Sequence, residues 1–164
     1  MIIGVISDLH DNVAAWQLLL QQFAALEIAT IINCGDTCAP AMLKEMAATY
    51  PGRIHTVFGN VADRKLEEQE VHDLPNVTHY GDDGDLTLDG RRIFFTHKPK
   101  EADQAAKSGK YDLVCHGHTH LKRWEKIGET FILNPGTAGG MFQYPSFATV
   151  DLPALHHQFH ELTV

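Results

Sequence analysis

The strongest constraint in this sequence is a set of polar residues that directly follow short apolar runs. Five runs precede them, IIGVIS, TIIN, HTVF, RRIFFT and DLVC, and all but one have the composition of strands buried in an α/β sheet. Open α/β sheets gather their loops beyond the carboxyl ends of the strands. We therefore expect residues distant in sequence to meet at one sheet edge, namely Asp8, His10, Asp36, Asn60, His97, His118 and His120.

The order of predicted elements changes halfway along the chain. The first half contains three strand-helix units, with strands at 2–7, 30–33 and 55–58 and helices beginning near 13, 40 and 63. An Asp89-Gly90 turn then predicts a hairpin, a short helix follows over about 100–107, and the chain is mostly β from 112 onward. This order predicts an α/β protein with two packed sheets and helices outside them.

Length and charge limit the classes of protein to consider. A chain of 164 residues predicts a single domain, 1–164, that buries its core without a structural metal. No segment is apolar enough to span a bilayer, and the N-terminus lacks the basic region of a signal peptide, so we expect a cytoplasmic protein and no membrane partner. A net charge of −8 with 13 Lys+Arg argues against extended nucleic-acid binding, but it is compatible with a small phosphate substrate held by metal ions.

The seven polar residues form a mixed oxygen and nitrogen donor set. Such a set favours Mn²⁺, Fe²⁺, Zn²⁺, Co²⁺ or Ni²⁺ over Ca²⁺ or an iron–sulfur cluster. Seven ligands exceed one tetrahedral site but suit two ions that share a carboxylate, and Asp36, central in the series, is the expected bridge. Two such ions can activate a water and neutralise phosphoryl oxygens, which predicts hydrolysis of a phosphoester.

The ordered motifs D-x-H, GD, GN, H and GHTH resemble those of the calcineurin-like metallophosphoesterase superfamily. The N-terminal SDLHDN, and NPGT after GHTH, are similar to its small single-domain phosphodiesterase branch. This resemblance implies a four-layer α/β/β/α sandwich of two mixed β-sheets flanked by helices, and two divalent ions per chain, with Mn²⁺ the first expectation. One ion would be held by Asp8, His10, Asp36 and His120, and the other by Asp36, Asn60, His97 and His118. The last four residues are those expected to act in catalysis.

The sequence departs from the superfamily pattern after Asn60. Many members have a histidine there that assists as a proton donor to the leaving group, whereas this chain has Val61. A general acid typically contributes about 10²–10⁴-fold, so we expect a preference for small phosphodiesters over unactivated alkyl monoesters. The role of Asp63 stays open. Two other functions remain alternatives: a phosphomonoesterase, and a weak or inactive scaffold for protein interaction like the retromer subunit of this fold.

Several further residues have a structural interpretation beside a functional one. Asn12 is first a helix cap, and His116 is expected to be buried behind the site. The histidines near the C-terminus, His156, His157 and His160, fit an edge strand better than a metal tract. Lys98 and Lys100 are expected to be solvated, although either could meet a substrate's charge. The turn 134–137 could contact phosphate, and the aromatic stretch 141–147 could form a substrate wall or the contact of a homo-oligomer.

Overall fold

A computed structural model describes residues 1–162. Its strands are β1 (Ile2–Ile6), β2 (Thr30–Asn33), β3 (Arg53–Thr56), β4 (Val77–His79), β5 (Asp83–Leu88), β6 (Arg91–Thr96), β7 (Leu113–His116), β8 (Arg123–Ile127), β9 (Thr130–Asn134), β10 (Ser146–Asp151) and β11 (His156–Glu161). Its helices are α1 (Val13–Ala25), α2 (Pro40–Thr49), α3 (Arg64–Val71) and α4 (Pro99–Lys107).

The strands form two mixed sheets. The first has the order β11-β10-β1-β2-β3-β4, in which β1 to β4 are parallel and β10 and β11 are antiparallel to their neighbours. The second has the order β5-β6-β7-β9-β8, with a parallel centre and an antiparallel strand at each edge. The parallel strands of both sheets end near the same edge of the sandwich, where the predicted ligands begin.

Side chains alternate between the two faces of each sheet, so that one face of each sheet packs against the other sheet. In β1, Ile3 and Val5 join the apolar cluster between the sheets, and Ile6 joins the cluster beneath α1 and α2. In β7, Leu113 and Cys115 join the inter-sheet cluster, whereas Val114 packs with Ala102 of α4 and its neighbours. Helices therefore cover the outer face of each sheet, which confirms the predicted four-layer α/β/β/α sandwich.

Two details of the first sheet differ from the sequence prediction. The third strand covers 53–56, not 55–58, because the chain leaves the sheet at Val57 and the backbone N–H of Phe58 donates to Gly81 O at 2.8 Å. The strand β4 was not predicted. It has only three residues, one of them exposed, and it exists through its pairing with β3.

The C-terminal histidines lie on the edge strand β11, as predicted, and two of them stack on aromatic rings. His157 lies 4.1 Å from Trp124, and His160 lies 4.5 Å from Phe147, measured between ring centroids. Across residues 1–162, none of the helices has both the length and the apolar character needed to cross a bilayer.

Candidate metal centre

The loops after β1 and β2 are joined to one another and to the loop after β9 by backbone hydrogen bonds. The N–H of Asp8 donates to Gly35 O at 3.0 Å, and that of His10 to Asp36 O at 3.1 Å. From the other side, the N–H of Gly139 donates to Asp8 O at 3.0 Å. These bonds fix the first two carboxylates at the carboxyl edge of the first sheet.

One group of potential ligands contains Asp8, His10 and His120, whose ligand atoms all lie within 4.8 Å of one another. Asp8 is fully buried, and its Oδ2 accepts a hydrogen bond from the N–H of His118 at 3.0 Å. Its Oδ1 faces His120 Nε2 at 3.1 Å and His10 Nε2 at 3.7 Å. The loop after β7 thus crosses from the second sheet to complete a group that begins on the first.

The other group contains Asp8, Asp36 and His97, again within 4.8 Å. Asp36 Oδ2 lies 3.3 Å from His97 Nε2, and Asp36 Oδ1 accepts a hydrogen bond from the N–H of Val61 at 3.1 Å. Asn60 Oδ1 lies 2.8 Å from both His97 Nε2 and His118 Nδ1. The structure therefore brings all seven predicted residues to one edge. The carboxylate common to both groups is that of Asp8, and the bridging role of Asp36 stays a prediction.

The ring orientations of two histidines suit a cation site. His97 Nδ1 donates to Cys34 O at 2.9 Å, and His120 Nδ1 donates to Met141 O at 2.9 Å. With Nδ1 protonated, the Nε2 atom of each ring faces a carboxylate oxygen, so either a second proton on the ring or a bound cation must lie between the two atoms. Asp8 Oδ1 is buried and has no hydrogen-bond partner among the described residues. Imidazole, carboxylate and amide donors around such an atom fit a borderline divalent ion.

Burial and charge shift the pKa values of three groups in the centre. The Asp8 carboxylate raises the pKa of His10, against the opposing effect of burial. Burial opposes the charged forms of His97 and Asp36, but their mutual hydrogen bond and attraction outweigh it, so the pKa of His97 is raised and that of Asp36 is lowered. The centre therefore stabilises positive charge at the imidazoles of His10 and His97, as a cation site should.

Five of the seven residues have a left-handed backbone, which costs free energy in any residue other than glycine. Their φ angles lie between +49° and +72°, and they are Asp8, His10, Asp36, His118 and His120. Bends of this kind turn successive side chains toward a common point. Such residues concentrate at functional sites, where the surrounding contacts hold them in place.

Glycines allow the loops to approach more closely than any side chain would permit. A Cβ at Gly59 would lie 1.7 Å from Asp36 Oδ1, and one at Gly117 would lie 1.9 Å from Ser7 Oγ. Neither glycine was predicted to have a role of its own, although their position immediately before Asn60 and His118 was an available signal.

The turn 134–137 supports the centre from behind. Asn134 Nδ2 donates to Gly117 O and to Thr119 Oγ1, both at 3.0 Å, and Thr137 Oγ1 donates to Asp8 O at 3.0 Å. All four residues of the turn are buried. The turn therefore holds the loops of the proposed ligands, and its burial argues against the phosphate contact that was the alternative interpretation.

Three other predicted residues have structural roles. Asn12 caps α1 by accepting from Ala15 N at 3.0 Å. Asp63 caps α3 by accepting from Leu66 N at 3.2 Å, which settles its open role as a cap. His116 is buried, as predicted, and burial lowers its pKa. Val61 has a half-exposed side chain and reaches the centre through its backbone N–H.

A pocket of about 260 Å³ opens over the centre, and we refer to it as the site pocket. It is lined by His10, Asp36, Asn60, His118, Thr119, His120, Phe142 and Gln143. Phe142 is 86% exposed and stacks on the ring of His120 with 5.9 Å between centroids. Part of the aromatic stretch 141–147 is therefore a wall of this pocket.

Fold and site together define a class: an α/β/β/α sandwich with a metal-binding cleft at the carboxyl edge of both sheets. Residues 1–154 match the family model of the calcineurin-like phosphoesterase superfamily domain. The chain belongs to the calcineurin-like phosphoesterase superfamily, as its motifs predicted, and is a metal-dependent phosphoesterase.

Two relatives with assigned names resemble the chain over most of their length. It is 29% identical over 142 residues to the phosphodiesterase MJ0936 of Methanocaldococcus jannaschii, covering 85% of this chain and 86% of the relative. It is 26% identical over 144 residues to the phosphodiesterase YfcE of Escherichia coli, covering 80% of this chain and 76% of the relative.

Solved structures agree with this assignment. A structure of an archaeal phosphodiesterase superposes with a TM-score of 0.90 at 26% identity, covering 99% of this chain and 100% of the other. Vps29 of Entamoeba histolytica, solved in complex with Zn²⁺, has a TM-score of 0.71 at 17% identity, covering 99% and 100%, and shares the fold.

Proposed function

We propose that the chain hydrolyses small phosphodiesters at a centre of two divalent metal ions. Asp8, His10, Asp36 and His120 would hold one ion, and Asp36, Asn60, His97 and His118 the other, with Mn²⁺ the first choice and Fe²⁺, Zn²⁺, Ni²⁺ or Co²⁺ alternatives. The observation that carries the proposal is the pair of imidazole-to-carboxylate contacts, His120 to Asp8 and His97 to Asp36, at the base of an open pocket.

Bound ions in such a centre supply a water activated for attack and positive charge for the phosphoryl oxygens. The chain's own residues position these reactants. The Val61 N–H holds one oxygen of Asp36, so that the other faces His97. The carbonyl groups of Cys34 and Met141 hold two imidazole rings with their Nε2 atoms toward the cleft.

Diesters are the expected substrates because no side chain at position 61 can protonate a leaving group. Both named relatives are phosphodiesterases, which supports the same choice. The volume of the site pocket, about 260 Å³, suits a small ester. A cytoplasmic location and the monomeric or oligomeric state of the chain stay predictions.

The first test is metal analysis of protein purified without chelator, together with hydrolysis of bis-p-nitrophenyl phosphate. We expect close to two divalent ions per chain, and activity that EDTA abolishes and Mn²⁺ restores. A panel of alkyl monophosphates and cyclic nucleotides completes the assay. Faster turnover of the alkyl monoesters would instead support the phosphomonoesterase alternative.

The bridging role of Asp36 needs its own variant. Asp36→Asn keeps the shape of the side chain but removes its charge, so we expect loss of at least one ion and most of the activity. Asp89→Asn is a matched control, because Asp89 also has a left-handed backbone, with φ of 48° against 53° for Asp36, and lies in the hairpin turn outside the ligand loops. Full activity in Asp36→Asn would refute the assignment.

A protein-interaction scaffold remains the second candidate, favoured by the exposure of Phe142 and Tyr144 beside the pocket, at 86% and 80%. A scaffold predicts no turnover of any phosphoester at any metal loading. The EDTA-reversible assay therefore separates the two functions directly.

A further inference from the structure

A second pocket, of about 480 Å³, lies beside the site pocket and shares two of its lining residues, Asn60 and His118. It also reaches His97, so three of the proposed ligands form its inner wall. A group bound at the centre therefore has a continuous path into this second space. Its volume lies within the range of small-molecule sites.

The outer wall of the second pocket is basic. Arg64, Lys98 and Lys100 line it together with the acidic Glu101. The chain as a whole carries −8, with only 13 Lys+Arg, so three cations around one pocket run against its general charge. We call this space the basic pocket.

Two of these cations, Arg64 and Lys98, are oriented by residues outside the pocket, but these contacts do not neutralise the positive charge of the wall. Asp82 accepts hydrogen bonds from both terminal nitrogens of Arg64, at 3.1 and 2.7 Å, and one from Lys98 Nζ at 3.4 Å. The guanidinium carbon of Arg64 also lies 4.8 Å from the ring centroid of Phe58. Lys100 has no ion-pair partner within residues 1–162. Three cations against Glu101 and Asp82 leave a net charge of +1.

We propose that the basic pocket binds a second anionic group of the substrate, so that the preferred phosphodiester has one arm ending in a phosphate or a similar anion. This rests on the proposed function, since the scissile phosphodiester must lie at the metal centre. The scissile group then lies against Asn60 and His118, and the anion of its arm lies among Arg64, Lys98 and Lys100.

Two synthetic substrates test this directly. Both are p-nitrophenyl phosphodiesters with a three-carbon second arm, which ends in phosphate in one and in hydroxyl in the other. We expect the Mn²⁺-loaded enzyme to have the higher kcat/KM for the phosphate-ended substrate. Arg64 and Lys98 are about half exposed, and Lys100 is also exposed. Solvent therefore weakens each charge, so Lys100→Met should reduce this ratio by about fivefold, and Lys100→Glu should reduce it further.

Lys107→Met is the matched control, because Lys107 is an exposed lysine at the other end of α4 and its loss changes the net charge equally. It should leave the ratio unchanged. A second measurement does not depend on turnover: glycerol 3-phosphate should shift the backbone amide signals of Lys98, Lys100 and Glu101 in the full chain freed of metal, and the shifts should weaken in Lys100→Met.

The outcomes separate this inference from the proposed function. Hydrolysis of both substrates at equal rates, or an equal ratio in Lys100→Met and Lys107→Met, would overturn the anion site and leave the phosphodiesterase intact. Hydrolysis of neither substrate would overturn the proposed function, and the amide shifts would still report on whether the pocket binds phosphate.

Discussion

Replacement of Gly59 by alanine should disable the metal centre, although the variant adds a single methyl group. That methyl would lie 1.7 Å from Asp36 Oδ1, 2.5 Å from Asp36 Cγ and 2.3 Å from the Asp36 backbone nitrogen. Rotation of the carboxylate relieves only the first two contacts. To reach a separation of 3.0 Å, the Oδ1 atom must move by about 1.3 Å. The Asp36 backbone nitrogen, which side-chain rotation does not displace, must move by about 0.7 Å, so the loop itself must shift.

A displacement of about 1 Å at a reacting centre can lower the rate about 100-fold, so we expect at least that loss in kcat/KM for bis-p-nitrophenyl phosphate. Mn²⁺ affinity, measured by calorimetric titration, should fall about 10-fold to 100-fold. Urea unfolding in EDTA should show a loss of about 1–3 kcal/mol from overpacking.

Gly109→Ala separates loss of stability from loss of the site. Its methyl would meet nothing within 4 Å, but its φ of +66° makes alanine unfavourable by about 1 kcal/mol. This variant should unfold more easily and bind Mn²⁺ normally. If Gly59→Ala also kept its Mn²⁺ affinity within twofold, the close approach of the two loops would not be what positions Asp36.

The remaining predictions concern the support of the centre, its wall and the buried core. Asn134→Ala should lower Mn²⁺ affinity about 10-fold in calorimetric titration, since it releases the loop that carries two ligands; unchanged affinity would contradict that role. Phe142→Ala should raise KM for bis-p-nitrophenyl phosphate about fivefold with little change in kcat, whereas Tyr144→Ala, outside the site pocket, should change neither. Burial lowers the pKa of His55 below 6.5. As the pH drops below 6.5, the unfolded chain therefore binds a proton at this residue before the folded chain does, and the free energy of unfolding should fall. Urea unfolding in EDTA at pH 5 and 7 should show a smaller fall in His55→Gln, and an equal fall would exclude His55 as a cause.

The positions of the proposed ligands could be predicted from sequence, because the loops that carry them follow strands with a clear apolar composition. Asp36, for example, stands three residues after the last residue of β2, and the parallel order of the strands then determines where it lies. The hairpin of β5 and β6 could also be predicted, because Asp89-Gly90 specifies its turn and register.

The features that could not be predicted from the sequence depend on contacts between residues that are distant in sequence. Residues 57–58 were predicted to be strand because they are apolar, but in the fold they lie buried in the loop that follows the end of β3. The strand β4 has too few residues for a periodic signal. The basic pocket needs Arg64 from α3 and Lys100 from α4, which are adjacent only once the two sheets have packed.

The left-handed backbone of the five ligand positions has a consequence for engineering. Glycine at any of these positions would relax the loop, and would remove a ligand at the same time. Selection for heat resistance alone would therefore tend to enrich glycine at positions such as His10 and His118. Variants that gain thermal stability in this way should be counter-screened for metal content, because the residues that glycine would relax include those proposed to bind the metal ions.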